Sequence, residues 1–139
     1  MGKPNVEKLA EKGDVEGLIK ALEYKKDAVV RFSAAIGLGI FGYERAVEPL
    51  IKALGDIDND VRRYATEALG RLGKITVKPL IKALKHSDMF VRGQAANALG
   101  LIGDKTALKS LEKLVNEDEE IGVKVMAKTA ILMIQERAQ

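Results

Sequence analysis

The chain has 139 residues, of which 47% are hydrophobic and 31% are charged, and its formal net charge is +3. It contains no Cys, which excludes disulfides, thiolate metal sites and thiol nucleophiles. The small basic excess is spread along the chain and does not by itself indicate a nucleic-acid or membrane surface. No apolar run approaches the roughly 18–20 residues of a membrane span, and Met1–Asn5 shows no secretory signal, so we expect a cytoplasmic protein.

A short helix predicted from Asn5 to Lys12 leads into a series of repeated units. The pentapeptide Leu-Ile-Lys-Ala-Leu starts at Leu18, Leu50 and Leu80, and a degraded copy starts at Leu111, so that successive starts lie 32, 30 and 31 residues apart. A period in this range indicates stacked supersecondary units rather than one globular core. Around the copies, apolar residues recur at i, i+3, i+4 and i+7, which is the pattern of an amphipathic helix.

A second helix is predicted in each unit, where a Val-Arg pair is followed by a Leu-Gly-x-x-Gly motif. The pairs begin at Val30, Val61 and Val91, and the last unit has Val123-Lys124 instead. An acid stands three residues before each Val, at Asp27, Asp58, Asp88 and Glu120. Each acid can cap the second helix. It can also pair with the Arg four residues later or with an Arg of the next unit, which would form a ladder through the stack.

Two glycines recur at fixed places in this motif. The inner ones are Gly39, Gly70 and Gly100, and the outer ones are Gly42, Gly73 and Gly103. An inner Gly costs the helix on the order of 1 kcal/mol against Ala, so its recurrence predicts close packing of neighbouring helices. The outer Gly is predicted to adopt the left-handed conformation that ends many helices. The last unit lacks both, and we predict that it is a terminal cap with a polar outer face.

This pattern resembles the short HEAT-like repeats named after phycobilisome lyase subunits. The resemblance rests on Ala46–Leu54, Asp58, Val61-Arg62 and Ala68–Gly70, and it extends from about Asp14 to Ile134. It implies an all-α protein, an α/α superhelix (solenoid) of about four two-helix HEAT-like repeats plus an N-terminal helix. We predict a single domain over residues 1–139, with a capping helix at 1–13 and repeats at 14–42, 43–73, 74–103 and 104–139.

The residue types that carry catalysis are missing or isolated in this sequence. His86 is the single His, so we expect neither a His-rich metal site nor a Ser-His dyad. The acidic run Glu117–Glu120 is interpreted as a helix start favoured by the helix dipole. Gly37–Gly42 matches Gly-x-Gly-x-x-Gly but ends a helix, whereas a nucleotide-binding loop opens one. We predict no catalytic residue, no cofactor and no metal, and therefore a protein that is not an enzyme.

In HEAT-like arrays the second helices line one face. Positions on that face vary between the units while the framework repeats, and several carry apolar, aromatic or Arg side chains, which are favoured at protein interfaces. The predicted partner-binding residues are Val29, Phe32, Ile36, Arg63, Tyr64, Met89, Phe90 and Asn97. The same face is predicted to include Ile40, Glu67, Arg71, Gly93, Gln94 and Leu101. An alternative is that Phe32 or Phe90 packs under a neighbouring repeat or a terminal helix, and that Ile36 and Ile40 belong to the core of the first repeat, against the N-terminal helix.

Three functions are compatible with these features. We expect foremost a non-catalytic scaffold that binds a protein partner through the face of second helices, and a monomer rather than an obligate oligomer. The resemblance implies an alternative, a lyase-like helper subunit that holds a chromophore or another small molecule. The third is weak nucleic-acid binding through Arg62, Arg63, Arg71 and Lys74, which we do not expect to dominate because Glu67 intervenes. No membrane partner is expected.

Overall fold

A computed structural model describes residues 2–137 of the chain. Over that range the backbone forms α-helices joined by turns and short 3-10 segments, without a strand, which confirms the predicted all-α class. None of the helices between residues 2 and 137 combines the length and apolar character needed to cross a membrane. The predicted segments 1–13 and 104–139 extend beyond the described residues, at Met1 and at 138–139, and the predicted domain division remains a prediction.

The described helices form a leading helix and a series of helix pairs. The leading helix is α1 (Val6–Glu11). The first helices of the pairs are α2 (Val15–Ala21), α4 (Val47–Ala53), α6 (Val77–Ala83) and α8 (Leu108–Glu117). The second helices are α3 (Ala28–Phe41), α5 (Asn59–Leu72), α7 (Met89–Ile102) and α9 (Ile121–Arg137). The 3-10 segments Glu44–Ala46, Gly73–Thr76 and Lys105–Ala107 precede α4, α6 and α8.

The hydrophobic core runs through the stack and is built from the repeated leucines. The first residues of the pentapeptide copies, Leu18, Leu50, Leu80 and Leu111, are completely buried. The second helices contribute Leu38, Leu69 and Leu99, which are also completely buried. Full burial of one such side chain contributes roughly 1.5–3 kcal/mol. The pentapeptide therefore supplies the core of each pair, whereas the contacts between neighbouring pairs come mainly from the second helices. The expectation that the pentapeptide helix is the one that stacks the repeats is wrong.

The second helices pack against one another in chain order, α3 on α5, α5 on α7 and α7 on α9. A Cβ added to Gly39 would lie 3.0 Å from Ala68 Cα, and one added to Gly100 would lie 2.9 Å from Ala130 Cα. The predicted close packing is thus confirmed at these two inner glycines. At Gly70 the nearest atom would be Leu101 Cβ at 3.5 Å, which is an ordinary contact, so α5 and α7 approach less closely there.

The outer glycines do not share one conformation. Gly103 adopts the predicted left-handed conformation, with φ 80° and ψ 16°. Gly73 shares the positive φ, at 70°, but its ψ of −135° lies outside the left-handed helical region, so the prediction is wrong there. The prediction is wrong for Gly42, which is helical with φ −72°, and the positive φ falls on Tyr43 instead. Gly42 is required by space, because a Cβ there would overlap the Ala46 side chain and the Leu38 carbonyl oxygen.

Asp27, Asp58 and Asp88 cap the second helices as predicted. The carboxylate of each accepts the backbone N–H two residues later, at 2.9, 2.9 and 2.7 Å respectively. The predicted pairing with an Arg four residues later is wrong. Arg31 instead pairs with Asp56 of the following helix pair, and Arg92 pairs with Asp118. These two bridges between neighbouring units, called the Arg–Asp ladder below, use an acid two residues before the cap of the following unit.

Candidate partner-binding surface

The second helices present one common face, which carries most of the predicted binding residues. On α3, Val29 and Ile36 are 56% and 43% exposed, and on α7, Met89 and Phe90 are 42% and 43% exposed. Apolar side chains grouped on one face are a stronger indication of a binding surface than apolar side chains scattered singly. These four residues therefore have the accessibility that a contact with a partner requires.

Aromatic and cationic side chains link α3 to α5 near the middle of this face. The rings of Phe32 and Tyr64 stack with their centroids 5.2 Å apart and their planes at 28°. The guanidinium carbon of Arg63 lies 4.7 Å from the Tyr64 ring centroid, and its Nη2 lies 3.3 Å from Asp60 Oδ1. These contacts hold the side chains in place before a partner binds, which reduces the conformational entropy lost on association. They also show that Phe32 is partly engaged in packing, as the alternative interpretation held.

Phe90 covers an Arg of the preceding unit. The guanidinium carbon of Arg62 lies 4.2 Å from the centroid of the Phe90 ring, and its Nη1 donates to the carbonyl oxygen of Asp56 at 2.6 Å. The Nε of Arg62 is buried without a hydrogen-bond partner among the described residues. The ring of Phe90 therefore shields Arg62 while it remains nearly half-exposed itself.

A small hollow lies between α3 and α5 on the same face. Its volume is about 200 Å³, and its walls are formed by Ile36, Ile40, Tyr64, Glu67, Ala68 and Arg71. Pockets that enclose small molecules usually have about 300–1,000 Å³. The hollow is therefore suited to one side chain of a partner rather than to a chromophore. Larger hollows, of about 570 and 490 Å³, are lined mainly by the first helices and their turns.

The side chains that could take part in metal or acid–base chemistry are engaged in hydrogen bonds and an ion pair that stabilise the fold. Among residues 2–137 there is no group of three or more His, Asp or Glu side chains arranged to hold a metal ion. The Nδ1 of His86 accepts a hydrogen bond from the Asp88 backbone N–H at 3.0 Å. The Arg92 guanidinium, hydrogen-bonded to the Asp118 carboxylate, holds the pKa of that carboxyl below its usual range. Asp118 is thus bound in an ion pair and is not free to coordinate a cation.

The sequence profile of the HEAT repeats matches residues 15–79 and 74–131. The chain belongs to the HEAT-repeat family. Among solved structures it is similar to a chain in the complex of CpcE and CpcF of phycocyanin lyase from Nostoc sp. PCC7120, with a TM-score of 0.61 and 20% identity, over 90% of this chain and 85% of that one. An engineered protein is similar with a TM-score of 0.51 and 22% identity, over 94% of this chain and 66% of that one. No curated protein matches the sequence.

Not every predicted residue of the face is free in this HEAT-repeat array. The expectation that Gly93 projects from the face is wrong, because Gly93 is buried and a Cβ there would lie 2.8 Å from Met126 Sδ on α9. Asn97 is half-buried. Gln94 joins two repeats, since the Thr66 hydroxyl donates to its Oε1 at 2.9 Å. The accessible residues of the predicted set are Val29 and Ile36 on α3, Arg63 on α5, and Met89 and Phe90 on α7.

The cations considered for nucleic-acid binding do not act as one free patch in the HEAT repeats. Arg62 is shielded by Phe90, and Arg63 is paired with Asp60. Arg71 borders the hollow together with Glu67, and Lys74 is exposed on the following turn. Because carboxylates accompany two of these four cations, the face offers little uncompensated positive charge to a phosphate backbone.

Sequence reasoning missed a group of exposed apolar residues in the last HEAT repeat. Ile121, Val125 and Leu132 of α9 are 77%, 58% and 53% exposed, although the outer face of this repeat was predicted to be polar. The prediction is wrong because it relied on the missing glycines and on Ser110, which stands where the other repeats have Pro49 and Pro79, and neither of these reports on the outer face of α9. The spacing of the three apolar residues, i, i+4 and i+11, is the signal that places them on one helix face.

Proposed function

We propose that this HEAT-repeat protein is a non-catalytic interaction module, which binds a protein partner through the face lined by α3, α5 and α7. The observation that carries the proposal is the combination of exposed apolar residues with an ordered aromatic–Arg cluster on that face. Val29 and Phe90 offer apolar area at its two ends, and Tyr64 and Arg63 lie between them. Aromatic and Arg anchors that are already held in place are the groups that contribute most at protein interfaces.

The chemistry of the face favours a partner with apolar side chains. Val29 and Phe90 are already about half-buried, so burial of their remaining surface against a partner contributes about half of the roughly 1.5–3 kcal/mol that full burial of such a side chain gives. The hollow bordered by Ile36, Ile40 and Tyr64 accepts one projecting side chain. The charges on α5 are largely compensated within the helix, because Asp60 and Arg63 form an ion pair, so they contribute more to specificity than to affinity.

The proposal is tested by comparing cross-linked partners of the wild-type protein with those of the Val29→Glu/Phe90→Glu variant. Both positions are exposed, so the variant is expected to fold, which circular dichroism verifies. Ile57→Glu is the matched control, since Ile57 is 95% exposed but lies in the turn before α5, away from the face. We expect the double variant to lose partners that the control keeps. Retention of every partner by the double variant would show that the face is not the binding surface.

A second candidate function is a lyase-like helper subunit, which the similarity to the phycocyanin lyase complex favours. This role needs a surface that holds a pigment or a pigment carrier protein. The 200 Å³ hollow on the second-helix face is too small to enclose a chromophore, whereas the hollows of about 570 and 490 Å³ beside the first helices are large enough for a small molecule. A helper subunit would therefore hold a pigment beside the first helices, or would bind the carrier protein through the second-helix face. Addition of a bilin together with its carrier protein tests it: no change in the pigment absorption spectrum would exclude the role.

A further inference from the structure

A hollow of about 570 Å³ lies between α6 and α8, beside the first helices of the third and fourth repeats, and is called the α6–α8 hollow below. Its volume falls within the range of about 300–1,000 Å³ that is typical of small-molecule sites. Apolar side chains of both repeats, Ile81, Leu84 and Leu114, form part of its lining. The α6–α8 hollow can therefore hold the apolar part of a ligand.

Three lysines from these two repeats border the same hollow. Lys85 follows α6, whereas Lys109 and Lys113 lie on α8, four residues apart. All three side chains are exposed. Like charges four residues apart on a helix repel each other, so an anion held between Lys109 and Lys113 would remove a repulsion that is present in the free protein.

The acids beside the hollow leave this positive charge largely uncompensated. Asp118 is already bound by Arg92, which donates to its two carboxylate oxygens at 2.7 and 3.2 Å. Glu117 Oε2 lies 3.9 Å from Lys113 Nζ, and both side chains are 64% exposed. An exposed ion pair of this length contributes little, so a ligand anion can compete with Glu117 for Lys113.

The earlier repeats show that the fold does not require these polar groups. The corresponding hollow between α2 and α4, of about 490 Å³, is bordered by Glu23 and Pro49. Lys85 and Ser110 occupy the same repeat positions in the α6–α8 hollow. Both junctions stack, whichever set they carry. The change from an acid to a cation and from Pro to a hydroxyl therefore points to a ligand rather than to packing.

We propose that the α6–α8 hollow binds a phosphate monoester whose organic part is apolar. A phosphate group carries about −1.5 to −2 charge at pH 7 and three strong acceptor oxygens, which matches three ammonium groups and the Ser110 hydroxyl. Lys binds phosphate as a point charge, whereas the planar fork of Arg matches a carboxylate. Among the described residues that line the hollow there is no Arg, which favours phosphate. The apolar part packs against Ile81, Leu84 and Leu114.

Calorimetric titration of the whole chain with 1-naphthyl phosphate tests the proposal, with inorganic phosphate and 1-naphthol as reference ligands. We expect the ester to bind more tightly than either reference ligand, because its charge and its apolar ring both contribute. We also expect its affinity to fall as salt is added, because exposed charges are screened. The proposal is overturned if the ester does not bind at millimolar concentration, or if either reference ligand binds equally well.

Two variants restore the residues that earlier repeats carry at these positions, so both are expected to fold, which circular dichroism verifies. We expect Lys85→Glu to raise the dissociation constant of the ester about tenfold or more, because an attraction becomes a repulsion. Ser110→Pro removes the hydroxyl and is expected to weaken binding severalfold. Retention of full affinity by both variants would show that the ester does not bind in this hollow.

Lys82→Glu is the matched control for Lys85→Glu. It makes the same change of charge at an exposed residue of the same helix that does not border the hollow. We expect this control to bind the ester nearly as tightly as the wild type. Equal weakening by Lys82→Glu and Lys85→Glu would mean that general surface charge attracts the ester, and the proposal would be wrong. Neither result bears on the second-helix face, so the proposed function is tested separately.

Discussion

Arg31 and Asp56 are joined by two hydrogen bonds that cross from the first repeat to the second. The Nε of Arg31 donates to one carboxylate oxygen at 2.9 Å, and its Nη2 donates to the other at 3.0 Å. Arg92 holds Asp118 in the same two-point geometry, at 2.7 and 3.2 Å. Charged hydrogen bonds of this paired kind add both energy and orientation, so the Arg–Asp ladder fixes how one repeat sits on the next.

The ladder is interrupted at the junction between α5 and α7. Arg62 has the same place on its helix as Arg31 and Arg92, but the position that Asp56 and Asp118 hold, two residues before the cap of the following second helix, is occupied by His86 in the third repeat. His86 keeps the local turn, since its Nδ1 accepts the Asp88 N–H at 3.0 Å as Asp56 accepts the Asp58 N–H at 2.9 Å. It supplies no carboxylate, and the Nε of Arg62 is left without a partner in the described residues.

The first prediction is that His86→Asp stabilises the protein. A carboxylate at this position can accept from Arg62 as Asp56 accepts from Arg31, and a hydrogen bond to a charged group contributes about 1.5–3 kcal/mol. Because the side chain of Phe90 must shift, we expect a net gain of about 1 kcal/mol in the free energy of unfolding, measured in urea. His86→Asn is the control, since its amide oxygen preserves the turn without a charge. Equal stability of the two variants would contradict the ladder interpretation.

The second prediction concerns the pH dependence contributed by Asp118. Its pKa is lowered in the folded state, chiefly by the hydrogen bonds from Arg92. The stability that it adds is therefore complete above the unfolded-state pKa and is lost as the pH falls through the lower folded-state value. Asp118→Asn keeps the turn bond to Glu120 but removes the charge, and we expect it to cost about 2–3 kcal/mol at neutral pH.

The measurement for Asp118 is the free energy of unfolding of both proteins between about pH 6 and pH 2. The difference between the wild type and Asp118→Asn should be constant at the upper end and should shrink below about pH 4. If the difference in free energy of unfolding between the two proteins is independent of pH, the negative charge of Asp118 does not stabilise the folded state.

The third prediction is that Tyr43→Gly stabilises the protein although it removes a large side chain. Tyr43 has φ 46° and ψ −156°, a conformation that L-residues avoid because of their Cβ, and its side chain is 73% exposed. Relief of this strain is expected to be worth about 1 kcal/mol or more, offset in part by the greater entropy of Gly in the unfolded chain. Tyr43→Ala retains the Cβ and serves as the control. If thermal unfolding shows the same change for both variants, strain at this residue is not the cause.

The sequence was sufficient to predict the helices, their pairing and the caps at Asp27, Asp58 and Asp88, because each of these depends on residues close together in the chain. It was not sufficient to predict the partner of Arg31. Asp27 and Asp56 are both acids with suitable local spacing, and the choice between them depends on the offset between neighbouring repeats. Gly42 illustrates the same limit, because its conformation depends on the close packing of the Ala46 side chain against it, which the local sequence does not reveal.

The binding face was predictable only in part for a related reason. Variation between repeats correctly indicated that Val29 and Phe90 are accessible, because their helix positions point away from the core. It did not show that Gly93 is buried beneath Met126. The exposed apolar residues Ile121, Val125 and Leu132 of α9 were not predicted. The repeat pattern identifies the positions that pack against a neighbouring unit, and this pattern is weakest in the last unit.

The fourth prediction separates two inner glycines that look equivalent in the sequence. Replacing Gly with Ala inside a helix is favourable by about 1 kcal/mol where space allows. At Gly70 the new methyl group would have only an ordinary contact with Leu101 at 3.5 Å, so Gly70→Ala is expected to stabilise by about 0.5–1 kcal/mol. At Gly100 it would lie 2.9 Å from the Ala130 Cα, and forcing α7 away from α9 is expected to cost about 1–3 kcal/mol.

The two glycine variants are each other's control, because they make the same chemical change at the same position of successive repeats. Urea unfolding of both should give shifts of opposite sign relative to the wild type. If both variants are destabilised, α5 and α7 are packed as tightly as α7 and α9, and the looser junction at the interrupted ladder does not exist. If both are stabilised, the close approach of α7 to α9 at Gly100 is relaxed in solution, and the helix propensity of Ala decides the outcome at either site.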